Sequence, residues 1–208
     1  MPDPSITLYG TRLSGHAHRV ELLLLQLGLP YRYQDAPAEV RETAAFLALN
    51  PLGQIPVLVD GGLVLPDSNA ILVYLATRYD PGRAWYPEDA AIAARIQRWL
   101  SVAAGEIRFG PALARVIRVF GRAGDLAAAQ TLAGRVLAFM EGHLAGRDFL
   151  AAEGTDAAPT IADLACYSYV AHAPEGGVPL EPYPAVRAWL ARIEGLPGFK
   201  PMPRSAVA

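Results

Sequence analysis

The sequence predicts an α/β domain of order βαβαββα, a short linker, and an all-helical bundle. Three observations carry that expectation. Within residues 5–79, short extended apolar runs alternate with runs of helical spacing. Beyond residue 87 the extended runs stop and only helical periodicity continues. Between the two, Asp80-Pro81-Gly82-Arg83-Ala84-Trp85-Tyr86-Pro87 concentrates prolines and a glycine, residues that interrupt regular structure. The expected division is therefore residues 1–79, linker 80–87, and residues 88–208.

Each element has its own signal. Ile6-Thr7-Leu8-Tyr9 is strand-like. Residues 19–27 place Val20, Leu23, Leu24 and Leu27 on one helical face, with Gly28 and Pro30 as stop signals. Tyr31-Arg32-Tyr33 is extended, and residues 39–49 read as one helix ending near Asn50-Pro51. Pro56-Val57-Leu58-Val59 and Leu63-Val64-Leu65 flank Asp60-Gly61-Gly62, a strong hairpin signal. Residues 68–79 close the unit as a helix. This order is that of a thioredoxin-like domain.

In the second half, Ile92, Ile96, Trp99 and Ala103 mark a long helix. Gly110-Pro111 is expected to bend or break it, because proline removes a backbone donor. Leu132, Val136, Phe139 and Met140 mark another helix, with Asp125 as N-cap. Thr160-Ile161-Ala162-Asp163 is a capping-box-like start, with aspartate in place of the usual Glu or Gln. Pro184 opens a last helix carrying Val186, Trp189, Leu190 and Ile193, which Gly195 and Pro197 end.

At 208 residues and 52% hydrophobic, the chain can bury a substantial core and is not of disordered composition. Its formal net charge of −2 and scattered arginines argue against nucleic acid as a partner. Cys166 is the one cysteine, so no internal disulfide forms, as suits a reducing cytoplasm. It sits in the apolar run Ile161-Ala162-Asp163-Leu164-Ala165-Cys166 and reads as a buried structural residue. Met1-Pro2-Asp3-Pro4 lacks the basic region of a signal peptide. Leu22-Leu23-Leu24-Leu25 stops at Gln26 and Gly28, well short of a membrane span. His18, His143 and His172 show no metal-ligand spacing, and no metal site is expected.

Two local patterns carry chemistry. Asp67-Ser68 opens a helix, where free N–H groups and the positive dipole end attract a carboxylate. The Ser68 hydroxyl adds a donor, and Asp67 can pair with an ammonium, so the two together suit an amino-acid head group. Plain capping is the alternative. Ser14 supplies a hydroxyl where the first strand feeds the first helix. It reads either as an N-cap or as a donor to a thiolate, whose charged form a hydrogen bond favours. His16 follows in the first turn, biased toward neutral by the helix end. It reads either as an exposed surface residue or as a donor or base. Together these point to a small thiol peptide.

Ser14-Gly15, Asn50-Pro51-Leu52-Gly53-Gln54-Ile55-Pro56-Val57-Leu58, Asp67-Ser68-Asn69-Ala70-Ile71 and Thr160-Ile161-Ala162-Asp163 occur in order. With the βαβαββα-linker-helical organisation, they resemble the cytosolic glutathione transferase family over roughly the whole chain. Ala103-Ala104-Gly105-Glu106 and Ala173-Pro174-Glu175-Gly176-Gly177-Val178 look like its bacterial, serine/asparagine-type branch, which commonly has Ser-Gly-Asn where this chain has Ser14-Gly15-His16.

The resemblance implies glutathione as co-substrate. Ile55-Pro56 would be cis, with the Ile55 backbone pairing the cysteinyl part of the ligand and Gln54 binding its backbone nearby. Asp67 and Ser68 would hold the γ-glutamyl group, where the family often has Glu or Gln at position 67. Arg41 stands near where the family places a basic residue for the glycine carboxylate; a solvated helix arginine is the other reading. Ser14 would stabilise the thiolate, with His16 in place of the asparagine that can also face the sulfur. Tyr9 lies too early in the strand for this role, and Thr11 is a weaker competitor. The second substrate, a small hydrophobic electrophile, would meet Arg12-Leu13, residues 107–111 and the tail near Phe199. The resemblance also implies a cytoplasmic homodimer acting in detoxification. Other expectations are glutathione-dependent disulfide or peroxide reduction, and a non-catalytic glutathione-binding interaction module.

Overall fold

A computed structural model describes residues 5–151 and 157–205. Met1-Pro2-Asp3-Pro4, which carry the reading of the N-terminus, lie outside them. Strands β1 (Ile6–Gly10), β2 (Tyr31–Asp35), β3 (Val57–Asp60) and β4 (Leu63–Pro66) form one sheet in the order β2-β1-β3-β4. β1 runs parallel to β2, with Leu8 opposite Tyr33, and antiparallel to β3, with Leu8 opposite Leu58. A parallel pair needs a crossover, and helix α1 (Gly15–Gln26) supplies it. β3 and β4 form the expected hairpin.

α1 begins four residues before the apolar periodicity predicts, because the N-terminal turn is set by a cap: Ser14 Oγ accepts from the Ala17 N–H at 3.3 Å. Residues 17–24 are all buried, including His18, Arg19 and Glu21, because α1 is covered by the sheet and also by helix α8 (Ile161–Ala171). Glu21 is held as a carboxylate by Lys200 Nζ at 2.8 Å, Arg12 Nη1 at 2.8 Å and the Tyr31 hydroxyl at 2.7 Å. Burial pushes its pKa up, but these hydrogen bonds and charges outweigh it and hold it below the ordinary value.

One expectation is corrected and another narrowed. The single helix over residues 39–49 is two, α2 (Ala38–Arg41) and α3 (Ala44–Leu49). Thr43 turns extended between them and caps α3 by accepting from the Phe46 N–H. Further on, of the bend or break expected at Gly110-Pro111, the structure excludes the break. Helix α5 (Ala90–Val102) runs through a π-helical segment (Ala103–Ala112) into α6 (Leu113–Phe120). Proline 111 lacks an N–H and crowds the carbonyl one turn back, and the wider π turn accommodates both effects. Gly110 serves packing: a Cβ there would sit 2.9 Å from the Ala133 nitrogen of helix α7 (Leu126–Leu144).

The remaining caps follow the sequence. Asp125 accepts from the Ala128 N–H at 2.9 Å, and Pro184 opens helix α9 (Pro184–Glu194). The capping box forms at α8, but Asp163 does more than cap. Its fully buried carboxylate accepts from the Thr160 N–H at 2.8 Å, the Leu150 N–H at 2.9 Å and Trp189 Nε1 at 2.9 Å. It therefore ties α8 to α9 and to the segment after α7. Helix α4 (Ser68–Tyr79) completes the layer beside α1. Leu8, Val20, Leu23, Ile71, Trp99, Ala165 and Trp189 belong to one continuous cluster, so the sheet and the bundle share a core. Among the described residues no helix is long and apolar enough to cross a membrane.

His18 joins α1 to α8 and to the C-terminal segment. Its Nε2–H donates to the Lys200 carbonyl at 2.8 Å, so Nδ1 accepts from the Ser168 hydroxyl at 2.9 Å. Burial is the main reason its pKa is lowered to about 4 from 6.5. The unfolded chain then binds a proton that the folded chain refuses. This contribution to stability is complete above the unfolded value and is lost as pH falls through the window down to about 4. A loss of about 3 kcal/mol from this group is expected across that window. Urea unfolding between pH 7 and 4 should show the fall, and His18→Gln should flatten it. An unchanged slope in that variant would place the effect elsewhere.

Candidate functional site

The N-terminal ends of α1 and α4 meet beside the β3 entrance and open on a cleft of about 1660 Å³. That exceeds the roughly 300–1,000 Å³ of an ordinary small-molecule pocket, so the cleft has room for two ligands side by side. Ser14, His16, Arg41, Gln54, Ile55, Asp67 and Ser68 all line it.

Ser14 is an N-cap, and this does not exhaust it. The hydroxyl has one proton and two lone pairs, and the cap uses one lone pair. Its proton stays available to an acceptor in the cleft. The Tyr169 hydroxyl of α8 lies within electrostatic reach of the Gly15 and His16 N–H groups, which favour its charged form. Gly15 is required by that approach: a Cβ would sit 2.8 Å from Tyr169 Cζ.

His16 is not the exposed first-turn residue of one reading. It is half-buried, with its ring edge-on to Tyr169 at 5.0 Å between centroids. Burial, then the charges of Arg19 and Arg108, hold it well below the usual histidine range, so it is neutral at neutral pH. Its Nδ1 lies 3.4 Å from Ser68 Oγ, a long contact.

At α4, Asp67 is the N-cap. Its Oδ1 accepts from the Asn69 N–H at 3.0 Å and the Ala70 N–H at 2.9 Å. Its backbone has φ 75°, a conformation that costs a non-glycine residue roughly 1–3 kcal/mol and is concentrated at functional sites. Ser68 is buried beneath it. Arg19, which no sequence signal marked, reaches across from α1: Nη1 donates to Asn69 Oδ1 at 3.1 Å and to Ser68 Oγ at 3.4 Å. Arg19 is 1% exposed, and its Nε and Nη2 have no hydrogen-bond partner among the described residues. Among the described residues no carboxylate forms an ion pair with it; the Asp67 charge acts on it from the cleft wall.

The third wall is the loop before β3. Asn50 is buried and shapes it, donating to the Gln54 carbonyl at 2.9 Å and accepting from the Leu52 N–H at 3.1 Å. Gly53 takes φ 61°, which suits glycine. The Ile55-Pro56 bond is cis, as the sequence reading expects. Arg41 is half-buried in this wall with Nε lacking a partner among the described residues, which departs from a solvated helix arginine.

The fourth wall comes from the π segment and α6, with Ala104, Arg108, Arg115, Val116 and Phe120, and from Arg122 just beyond. Arg115 is buried and pairs with Glu175 at 2.6 Å, while its Nη1 donates to the Leu13 carbonyl at 3.0 Å. It thereby fixes the loop before Ser14 from the helical side. Arg12 and Leu13 line the cleft as expected, and Arg12 stacks over Tyr33 at 3.8 Å. The tail near Phe199 does not line it: Phe199 packs against Tyr167 and His18. Cys166 is buried, its thiol pushed up by burial, and lies outside the cleft. Among the described residues no group of three or more His, Cys, Asp or Glu could hold a metal.

Of the expected segment 107–111, Arg108 lines the cleft; Arg19, Arg115 and Tyr169 were missed from sequence. They reach the cleft only through packing between α1, α8 and the π segment, so no local spacing announces them. Asn69 stood beside the marked Asp67-Ser68 pair and could have been found.

The model of the glutathione S-transferase N-terminal domain matches residues 8–83, and that of the C-terminal domain matches residues 107–197. The chain is 32% identical to a glutathione S-transferase-like protein, tpcF, of Aspergillus fumigatus, over 96% of each. It is similar to the crystal structure of a glutathione S-transferase from Pseudomonas fluorescens, at TM-score 0.87 and 32% identity, over 95% of this chain and 98% of that one. A glutathione transferase homolog from Drosophila mojavensis, solved with bound glutathione, aligns at TM-score 0.80 and 27% identity, over 93% of this chain and 89% of that one.

Arg115→Met should remove the anchor of the Leu13 loop and take from the buried Glu175 its guanidinium, leaving it His172 and the Ser205 N–H. Urea denaturation should register a loss of about 3–5 kcal/mol. Adding Glu175→Gln should recover part of it, since a buried carboxylate stripped of its guanidinium is a main part of the penalty. Strictly additive losses would contradict the coupling.

Proposed function

The chain belongs to the glutathione S-transferase family, and we propose that its cleft binds glutathione, stabilises the thiolate and transfers it to a small electrophile. The observation that carries this reading is the convergence of Ser14, Asp67 and Ser68, from two helix N-termini, on one cleft wide enough for a second ligand. The γ-glutamyl ammonium pairs with Asp67, whose Oδ2 carries no hydrogen bond among the described residues. The γ-glutamyl carboxylate meets the Ser68 hydroxyl and the charge of Arg19 behind it. The Ile55 backbone and Gln54 hold the peptide part, and Arg41 meets the glycine carboxylate.

Ser14 donates its proton to the sulfur and so favours the thiolate. It does not attack. His16, neutral by burial and by the charges of Arg19 and Arg108, contributes a donor and not a second positive charge. Ser68 can donate to His16 Nδ1, which leaves the Nε2–H to face outward. Thiolate attack on an electrophile forms the carbon–sulfur bond and releases the leaving group with its electron pair. The reducing alternative draws no support from a protein thiol, since Cys166 lies outside the cleft.

The same reading includes the division into residues 1–79 and 88–208, a cytoplasmic site of action in detoxification, and a homodimer. The dimer is supported by Leu52, 76% exposed, and by a groove of about 760 Å³ between α4 and α5.

The test is an ultraviolet titration of the bound glutathione thiol. Its pKa should fall below the roughly 8.5 of a free cysteine. Ser14→Ala should return it toward that value and lower kcat, while His16→Ala should move it less. Because His16 is already neutral, the pH–rate profile should show no histidine limb between about pH 6 and 9. If His16→Ala alone restores the thiol, the chemistry belongs to histidine.

A further inference from the structure

The cleft is cationic on a chain of net charge −2. Its walls hold Arg12, Arg19, Arg41, Arg108, Arg115 and Arg122 against Asp35, Glu42 and Asp67. Two of these arginines are already engaged: Arg12 by Glu21 at 2.8 Å and Arg115 by Glu175 at 2.6 Å. Arg19 and Arg41 stand with the glutathione-binding residues. Arg108 and Arg122 remain, both exposed, both on the opposite wall. Among the described residues neither has a carboxylate partner; Arg108 only leans over the Phe109 ring at 5.2 Å. The segment that carries them contributes no acid to the cleft.

The same wall carries apolar side chains. Val116 and Phe120 line it, and the Phe120 ring is 47% exposed although Arg115 packs over it at 5.5 Å. A wall that combines an exposed aromatic ring with two guanidiniums free of carboxylate partners among the described residues suits a flat apolar body with an anionic edge. Arg108 and His16 line the same cleft, and the Arg108 charge adds to burial and Arg19 in holding His16 below the usual histidine range.

We propose that the electrophile of this enzyme is an aromatic or similarly flat compound bearing a carboxylate, whose anion docks on Arg108 and Arg122. This rests on the glutathione-transfer reading and names the substrate class of its second subsite. The reaction is unchanged: glutathione loses its thiol proton to solvent, sulfur bonds to the electrophilic carbon, and the leaving group departs with the bonding pair. The arginines select the acceptor and orient it.

The probes are 4-chloro-3-nitrobenzoate and its methyl ester, which differ in the charge and present the same ring to the sulfur. Each kcat/KM is divided by the uncatalysed rate with glutathione, and chloride is the leaving group in both. The acid should exceed the ester by roughly tenfold, the size of one charge-assisted contact at an exposed wall. That ratio should fall toward one in R108Q/R122Q and in rising salt, since exposed charges are screened. The substituted side chains are exposed, and the fold should persist by circular dichroism. Equal ratios for the two probes, or a preference that survives R108Q/R122Q, would overturn the assignment. Calorimetric titration with glutathione alone separates the levels. Binding without acid selectivity removes this inference only, and absent binding removes the transferase reading with it.

Discussion

The site depends on the burial of α1 from both sides. A helix packed on one face of a sheet ordinarily presents its other face to water. Here the other face is covered by α8, so Ala17 through Leu24 lose their solvent. This forces His18, Arg19 and Glu21 to find partners in the interior, and each does so by reaching a different element. The N-terminal turn of α1 is fixed in the process, because Gly15 abuts Tyr169 and the Leu13 carbonyl is held by Arg115. Ser14 is thereby placed by contacts from the helical half as well as by its own cap.

Buried charge is handled in two distinct ways. Asp163, Glu21 and Glu175 each collect several donors, which satisfies the lone pairs that burial would leave bare. Arg19 and Arg41 are treated differently. Each keeps a nitrogen with no partner among the described residues, and each borders the cleft. An unpaired buried donor costs stability, so its persistence beside a cavity is intelligible where an anion completes it. The strained backbone of Asp67 belongs to the same pattern of local expense at one site.

The succession of strands and helices, the hairpin, the caps at Asp125 and Thr160 and the last helix were legible because each rests on local chemistry. Asp-Gly and Gly-Gly demand a turn, and a proline at the first helical position costs no hydrogen bond. The π segment was not legible, since Gly110-Pro111 looks the same whether a helix breaks or widens. Only the crossing with Ala133 of α7 distinguishes the two. The split between α2 and α3 hung on Thr43, whose capping role is invisible inside an otherwise helical run.

The sequence by itself determined the order of elements and the candidate residues of the glutathione side, because these depend on spacing along one chain. Ser14, Asp67 and Ser68 stand at strand-to-helix junctions, and junctions are readable from turn and cap residues. Tertiary structure alone decided that His16 is half-buried, that Arg19 lies behind Ser68, and that Arg108 and Arg122 line the cleft with no carboxylate partner among the described residues. Those facts depend on desolvation and on the summed field of charges brought from distant parts of the chain. Neither quantity exists until the helices have packed.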